Sequence, residues 1–223
     1  MSGFDPNGLW QAIGRQTRQR DDGGRVILLT AGRRGEGVTR IARALAVAAG
    51  PGPIFALDLD LRRNQFAREL AGQKFTETVS GDFCGVSLCV ALDSAGAICS
   101  SGDDVFCYRR VGGSRLHVGV LDARAIPAGG RLRMSSGAQY WDAVRASGAT
   151  FVVDAPAIDQ GKATLAVARH VDAVVLVVGS SEGAAPAALA AKGALDGVGA
   201  PVIGIVYAGA SGPVLALERA FTR

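Results

Sequence analysis

The stretch from Arg25 to Ala49 constrains this chain more than any other. Arg25-Val-Ile-Leu-Leu-Thr30 reads as a buried strand, Gly32-Arg33-Arg34-Gly35-Glu36-Gly37-Val38-Thr39 as a glycine-spaced loop, and Val38–Ala49 as a helix. Strand, glycine-rich loop and helix in that order turn backbone N–H groups and the positive end of a helix toward one point, which makes an anion site. The spacing fits the phosphate-loop pattern G-x-x-x-x-G-K-[ST] except that Val38 stands at the lysine position. Lysine there reaches the β- and γ-phosphates of a bound nucleotide, and valine cannot. The candidate nucleotide-binding residues are therefore Gly32, Arg33, Arg34, Gly35, Glu36, Gly37, Val38, Thr39 and Arg40. Arg33, Arg34 and Arg40 are the side chains able to replace the missing charge. Arginine's planar fork grips phosphate from a different position than lysine's point charge.

Further apolar runs follow at Ile54–Asp60, Phe151–Asp154, Ala173–Val178 and Val202–Tyr207. Each is continuous rather than alternating, as in strands buried on both faces of a parallel sheet. Helical stretches separate them: one near Asn64–Leu70, then Ser136–Ala146, Lys162–Val171 and Ala184–Leu195, with a last at Val214–Thr222. Alternating strands and helices predict an α/β fold, a doubly wound, mainly parallel sheet flanked by helices. We expect one domain over residues 1–223. Residues 1–24 would form an N-terminal helix (Pro6–Arg20) and linker, and residues 72–133 a less regular excursion. Within that excursion Ser87–Leu92, Val105–Val111 and Leu116–Leu121 have strand character, and Leu116–Leu121 is expected to join the main sheet.

A length of 223 residues suffices for one sizeable core. A mean hydropathy of +0.24 is high for a soluble protein, but no apolar run approaches the length of a membrane span. The expectation is no secretory signal and no transmembrane segment. The spacing of Cys84, Cys89, Cys99 and Cys107 fits neither a zinc site nor a C-x-x-C pair. Free thiols are expected there. The net charge of +4 is concentrated early, at Arg15, Arg18, Arg20, Arg25, Arg33, Arg34 and Arg40. Nucleic acid, acidic lipid or an acidic protein could meet such a cluster, and so could solvent alone. His117 and His170 read as structural, and no serine or cysteine triad can be assembled.

Acidic strand ends accompany the loop. Asp58-Leu-Asp60-Leu-Arg62-Arg63 closes one strand with two carboxylates expected on one face, and Asp154-Ala-Pro156 closes another. Ligands of such sheets bind outside the carboxyl ends of the strands. Thr39, Asp58 and Asp154 are the candidate metal residues, for Mg²⁺. Asp58 and Asp60 are the candidate catalytic residues of an active enzyme. The competing reading of strand-end aspartates is that they cap turns or helices; for Asp60 that includes pairing with Arg62 or Arg63.

Loop, D-x-D-L-R-R and D-x-P, in that order from Arg25 to about Ala208, resemble the bacterial tyrosine kinase (BY-kinase) family. These are cytoplasmic ATPase partners of polysaccharide co-polymerases, with a P-loop NTPase fold of the MinD/ParA-like branch. The resemblance implies ATP or ADP with Mg²⁺ as cofactors and a membrane-embedded co-polymerase as partner. It also implies a homo-oligomer, a cytoplasmic place at the inner face of the membrane, and no role for nucleic acid.

This chain departs from the pattern at Val38, at Arg34 and Ala157 where the family has prolines, and at Ala12, which replaces the glutamate of E-x-x-R-x-x-R ahead of Arg15 and Arg18. The chain also ends Phe221-Thr-Arg223 without the tyrosine-rich tail the family phosphorylates; its tyrosines are Tyr108, Tyr140 and Tyr207. The expectation is an accessory or regulatory subunit of exopolysaccharide (capsule- or holdfast-type) synthesis or export, a pseudokinase rather than an enzyme. The alternatives are an active Mg-dependent ATPase or tyrosine kinase using a substitute arginine, and a partition- or septum-type ATPase. The last class carries a signature lysine early in its loop, where this chain has arginines.

Overall fold

The computed structural model describes residues 4–17, 23–70, 72–135 and 137–208. It is a mixed α/β structure with a large, mostly parallel sheet flanked by helices, as the alternation of apolar runs and helical stretches predicts. The chain forms two compact units. One holds the described residues within Met1–Gln19, Ile27–Ala49 and Asp154–Arg223, the other those within Arg20–Val26 and Gly50–Val153.

In the first unit the strands are β1 (Arg25–Ala31), β10 (Ala173–Val178) and β11 (Val202–Tyr207). They lie in the order β11-β10-β1, with β10 parallel to both neighbours. Every residue of β10 is buried, so continuous apolarity here reports burial of both strand faces rather than of one. Helix α1 (Pro6–Gln16) starts at Asp5, whose carboxylate accepts from Asn7 N at 3.0 Å, with proline at the first turn. The expected extension to Arg20 does not hold through Thr17, whose extended backbone closes the helix; Arg18 and Arg20 lie outside the described residues. Helix α2 (Val38–Val47) buries Ile41, Ala42, Leu45 and Ala46. The Trp10 indole of α1 donates to Leu45 O of α2 at 2.8 Å, which satisfies the polar end of an otherwise apolar anchor. Helices α5 (Ala163–Ala168) and α6 (Ala184–Gly197) complete the unit. The helix expected at Val214–Thr222 lies outside the described residues.

In the second unit β2 (Ile54–Asp58), β3 (Phe75–Ser80), β6 (Phe106–Val111), β7 (Leu116–Leu121) and β9 (Thr150–Asp154, whose last residue falls in the first unit) lie in the order β9-β2-β7-β6-β3. Leu116–Leu121 joins the main sheet as expected, parallel to β2, while β6 runs antiparallel to β7 and β3 antiparallel to β6. A separate three-stranded sheet has the order β5-β4-β8, built from β4 (Cys89–Leu92), β5 (Ile98–Ser101) and β8 (Arg131–Met134). Strands β3, β5 and β8 are half-buried or exposed at every position and mix polar with apolar residues. They lack the apolar run that announced the buried strands. Helices α3 (Gln65–Glu69) and α4 (Ala138–Ala146) also belong here. Among the described residues no helix is long and apolar enough to cross a membrane.

Candidate functional site

The loop between β1 and α2 owes its path to three glycines. Gly35 and Gly37 have φ of +88° and +89°, the left-handed region that glycine occupies without a side-chain penalty. Gly32 is needed for a different reason. A Cβ there would sit 2.5 Å from the Ala187 carbonyl carbon and 2.9 Å from Ala188 N, both backbone atoms of α6. Gly32→Ala is expected to cost about 1–3 kcal/mol through overpacking, and Gly35→Ala, whose Cβ meets nothing, about 1–2 kcal/mol from its backbone conformation alone. Urea unfolding of the two variants checks the order; a smaller loss in Gly32→Ala would contradict the close approach.

Gly37 caps α2 with no side-chain hydrogen bond, so the first amides of that helix keep their positive end toward the loop. Val38 and Thr39, the first two residues of α2, are half-buried. Glu36 is buried, and its carboxylate accepts from Gly179 N just beyond β10 and from Ser181 Oγ at 3.3 Å. Arg33 Nη1 donates to Glu182 O at 2.9 Å, and Arg40 Nη2 donates to Ala208 O. Two of the three arginines that could have replaced lysine are therefore held by backbone carbonyls. Arg34 is exposed and makes no hydrogen bond or ion pair among the described residues.

Asp154 ends β9, is 4% exposed, and belongs to the same unit as the loop. Within that unit its chain neighbours are held to β1: Ala155 N donates to Leu29 O at 2.9 Å and Thr30 Oγ1 to Pro156 O at 2.8 Å. Asp159 N donates to Gly32 O at 3.4 Å. The structure thus brings Gly32 to Arg40 and Asp154 together in one unit.

Asp58 and Asp60 lie in the other unit. The expectation of two carboxylates on one strand face is corrected: β2 ends at Asp58, and Asp60 stands in the turn that follows. Asp58 Oδ1 accepts from Asp60 N at 2.8 Å and Oδ2 from Phe66 N at 3.3 Å, so it fastens the turn between β2 and α3. Burial pushes its carboxyl up to about 6. The backbone donors of Asp60, Phe66 and Gln65 oppose that rise, and the Asp60 charge adds to it. Asp60 accepts from Arg63 N at 3.3 Å and pairs with Arg63 Nε at 3.8 Å in an exposed contact, which contributes little. Asn64, at φ +38°, caps α3 through Ala67 N at 3.0 Å and donates to Gly119 O at 2.7 Å. Capping, one of the two readings weighed for strand-end aspartates, describes the hydrogen bonds these two make.

Chemically, the loop presents backbone amides, the α2 N-terminus, the Thr39 hydroxyl and the exposed Arg34 guanidinium. This donor set suits a phosphate or another oxyanion. Of the three residues expected at a metal, Thr39 and Asp154 fall in this unit and Asp58 in the other; among the described residues no group of three or more His, Cys, Asp or Glu side chains is placed to hold a metal ion. Motif reading missed the partners of Glu36, because Gly179 and Ser181 lie more than 140 residues away along the chain; the hint was the glycine that closes the apolar run Ala173–Val178.

No protein-family model matches the chain, and no curated protein matches it. Among solved structures it resembles the chimerical protein CapA2B2, with a TM-score of 0.58 and 16% identity over 91% of this chain and 82% of that one. It also resembles the kinase domain of the Escherichia coli tyrosine kinase ETK, with a TM-score of 0.58 and 15% identity over 93% of this chain and 76% of that one. At such identities the likeness is one of fold.

Proposed function

We propose that this chain is an accessory or regulatory subunit of exopolysaccharide synthesis or export, built on the fold of a bacterial tyrosine kinase domain but with little or no kinase activity. The fold shared with the ETK kinase domain and the ordered motifs around Gly32–Arg40, Asp58–Arg63 and Asp154–Pro156 support the ancestry. One observation carries the loss of chemistry: Val38 occupies the lysine position while Arg33 and Arg40 are committed to the carbonyls of Glu182 and Ala208. A membrane-embedded co-polymerase is the partner this reading requires, and it would hold the chain at the inner face of the membrane.

Nucleotide, if held, would rest on the amides of Gly35 to Thr39, with Mg²⁺ on Thr39 and Asp154 and with Asp58 as a further candidate. A phosphate loop supplies binding and charge neutralisation for a phosphoryl group. A second reading, an active ATPase or tyrosine kinase, is favoured by Arg34 alone, the exposed guanidinium of the loop.

Calorimetric titration with Mg-ATP and Mg-ADP, followed by a phosphate-release assay, separates the two. Absence of binding at millimolar nucleotide ends the enzyme reading. Turnover that disappears in both Arg34→Ala and Asp58→Asn ends the accessory-subunit reading. Val38→Lys is expected to bind Mg-ADP about tenfold more tightly than the parent, because it restores a charge-assisted contact to phosphate. No gain in that variant would show that this loop no longer shapes a nucleotide site.

A further inference from the structure

The loop and the β10–α6 connection are fastened to each other from both sides. Glu36 sends its carboxylate out of the loop to Gly179 N and Ser181 Oγ. Arg33 sends its guanidinium to Glu182 O. The tips of these two side chains fill the space beside two glycines of the connection. A Cβ at Gly179 would lie 2.5 Å from Glu36 Oε2, and one at Gly183, where φ is +83°, 2.8 Å from Arg33 Nη1. Gly32 leaves room for the first turns of α6 in the same way. Two stretches far apart in sequence, Gly32, Arg33 and Glu36 on one side and Gly179 and Gly183 on the other, thus share one close approach. Glu36 is its only buried charged side chain among the described residues, and a buried carboxylate stripped of its donors is costly.

We propose that Glu36 is a positioning residue that makes the loop and the Gly179–Gly183 connection a single cooperative unit, so that the state of one is imposed on the other. The two segments then open together rather than separately. A ligand that orders the loop also orders the start of α6, and a partner that engages the start of α6 alters the loop by the same factor. This holds whether the loop's ligand is a nucleotide or another oxyanion, and it stands independently of the kinase ancestry.

Hydrogen–deuterium exchange on the full chain tests it. Glu36→Ala should raise exchange at least tenfold in both 32–39 and 179–183, while β6 and β7 keep the parent's protection. Glu36→Gln, whose amide oxygen still accepts one of the two bonds, should fall between Ala and the parent in both segments. Gly179→Ala, which displaces the carboxylate from the opposite side, should reproduce the Glu36→Ala pattern. Faster exchange in one segment alone, in neither, or throughout the chain including β6 and β7, would overturn the proposal. Glu36→Gln keeps it testable if Gly179→Ala does not fold.

Discussion

Phe55→Ala is expected to lower the free energy of unfolding by about 3–5 kcal/mol, the range for truncating a large buried aromatic. Phe55 lies in β2 at the centre of an aromatic group in the second unit and is 6% exposed. Its ring stacks on Phe151 at 4.9 Å and on His117 at 4.9 Å, and meets Tyr108 and Phe83 edge-on at 5.0 and 5.6 Å. Truncation removes the transfer free energy of the ring together with four ring contacts, and its rigid aromatic neighbours collapse poorly into the space. Phe55→Leu, which keeps most of the volume, should lose much less. Urea unfolding followed by the fluorescence of Trp141, in the same unit, reads both. A loss below 1 kcal/mol in Phe55→Ala would show that this group is not the core of that unit.

The second large effect is a pH dependence carried by Asp58. Its folded-state value of about 6 stands above the ordinary 3.8 because burial disfavours the charged form. The folded state therefore binds more protons than the unfolded state between about pH 4 and 6, and the contribution of this group to stability falls as pH rises through that window. The contribution is fully present below about pH 4 and lost above about pH 6. A rise from 3.8 to about 6 corresponds to about 3 kcal/mol. The effect in solution is expected nearer 2 kcal/mol, after water penetration.

Other carboxylates titrate in the same range, so the test is a difference. The stability of the parent minus that of Asp58→Asn, from urea unfolding at pH 4, 5, 6 and 7, should fall by about 2 kcal/mol from the lowest to the highest pH. A flat difference would mean that Asp58 is hydrated rather than buried. An opposite slope would mean that its backbone donors outweigh burial.

Much of this architecture was legible because burial leaves a mark on composition. Val26–Leu29, Phe151–Val153 and Ala173–Val178 are apolar at every position because both faces of those strands are covered. Their places, and the helices that alternate with them, could be read from the chain. Strands β3, β5 and β8 could not. Phe75–Ser80 and Arg131–Met134 have no fully buried position and mix polar with apolar side chains. What makes them strands is pairing with residues distant in the chain, such as β8 on β4 through Ala91 and Leu132. Asp60 was misplaced for a related reason. A period of two puts Asp58 and Asp60 on one face only while the strand continues, and the hydrogen bond from Asp60 N to the Asp58 carboxylate ends it.

The loop divides the same way. The sequence by itself determined that a strand, a glycine-spaced turn and a helix follow one another at Arg25–Val47, and that no lysine stands among the candidate anion ligands, because these depend on residue identity and short-range spacing. The tertiary structure alone decided where the loop's charges go. Arg33, Glu36 and Arg40 point to partners at Glu182, Gly179 and Ala208. Those partners arrive only because β10 and β11 pair beside β1 in the sheet. A guanidinium free to reach phosphate and one held by a backbone carbonyl are the same residue in the sequence, and only the folded neighbourhood distinguishes them.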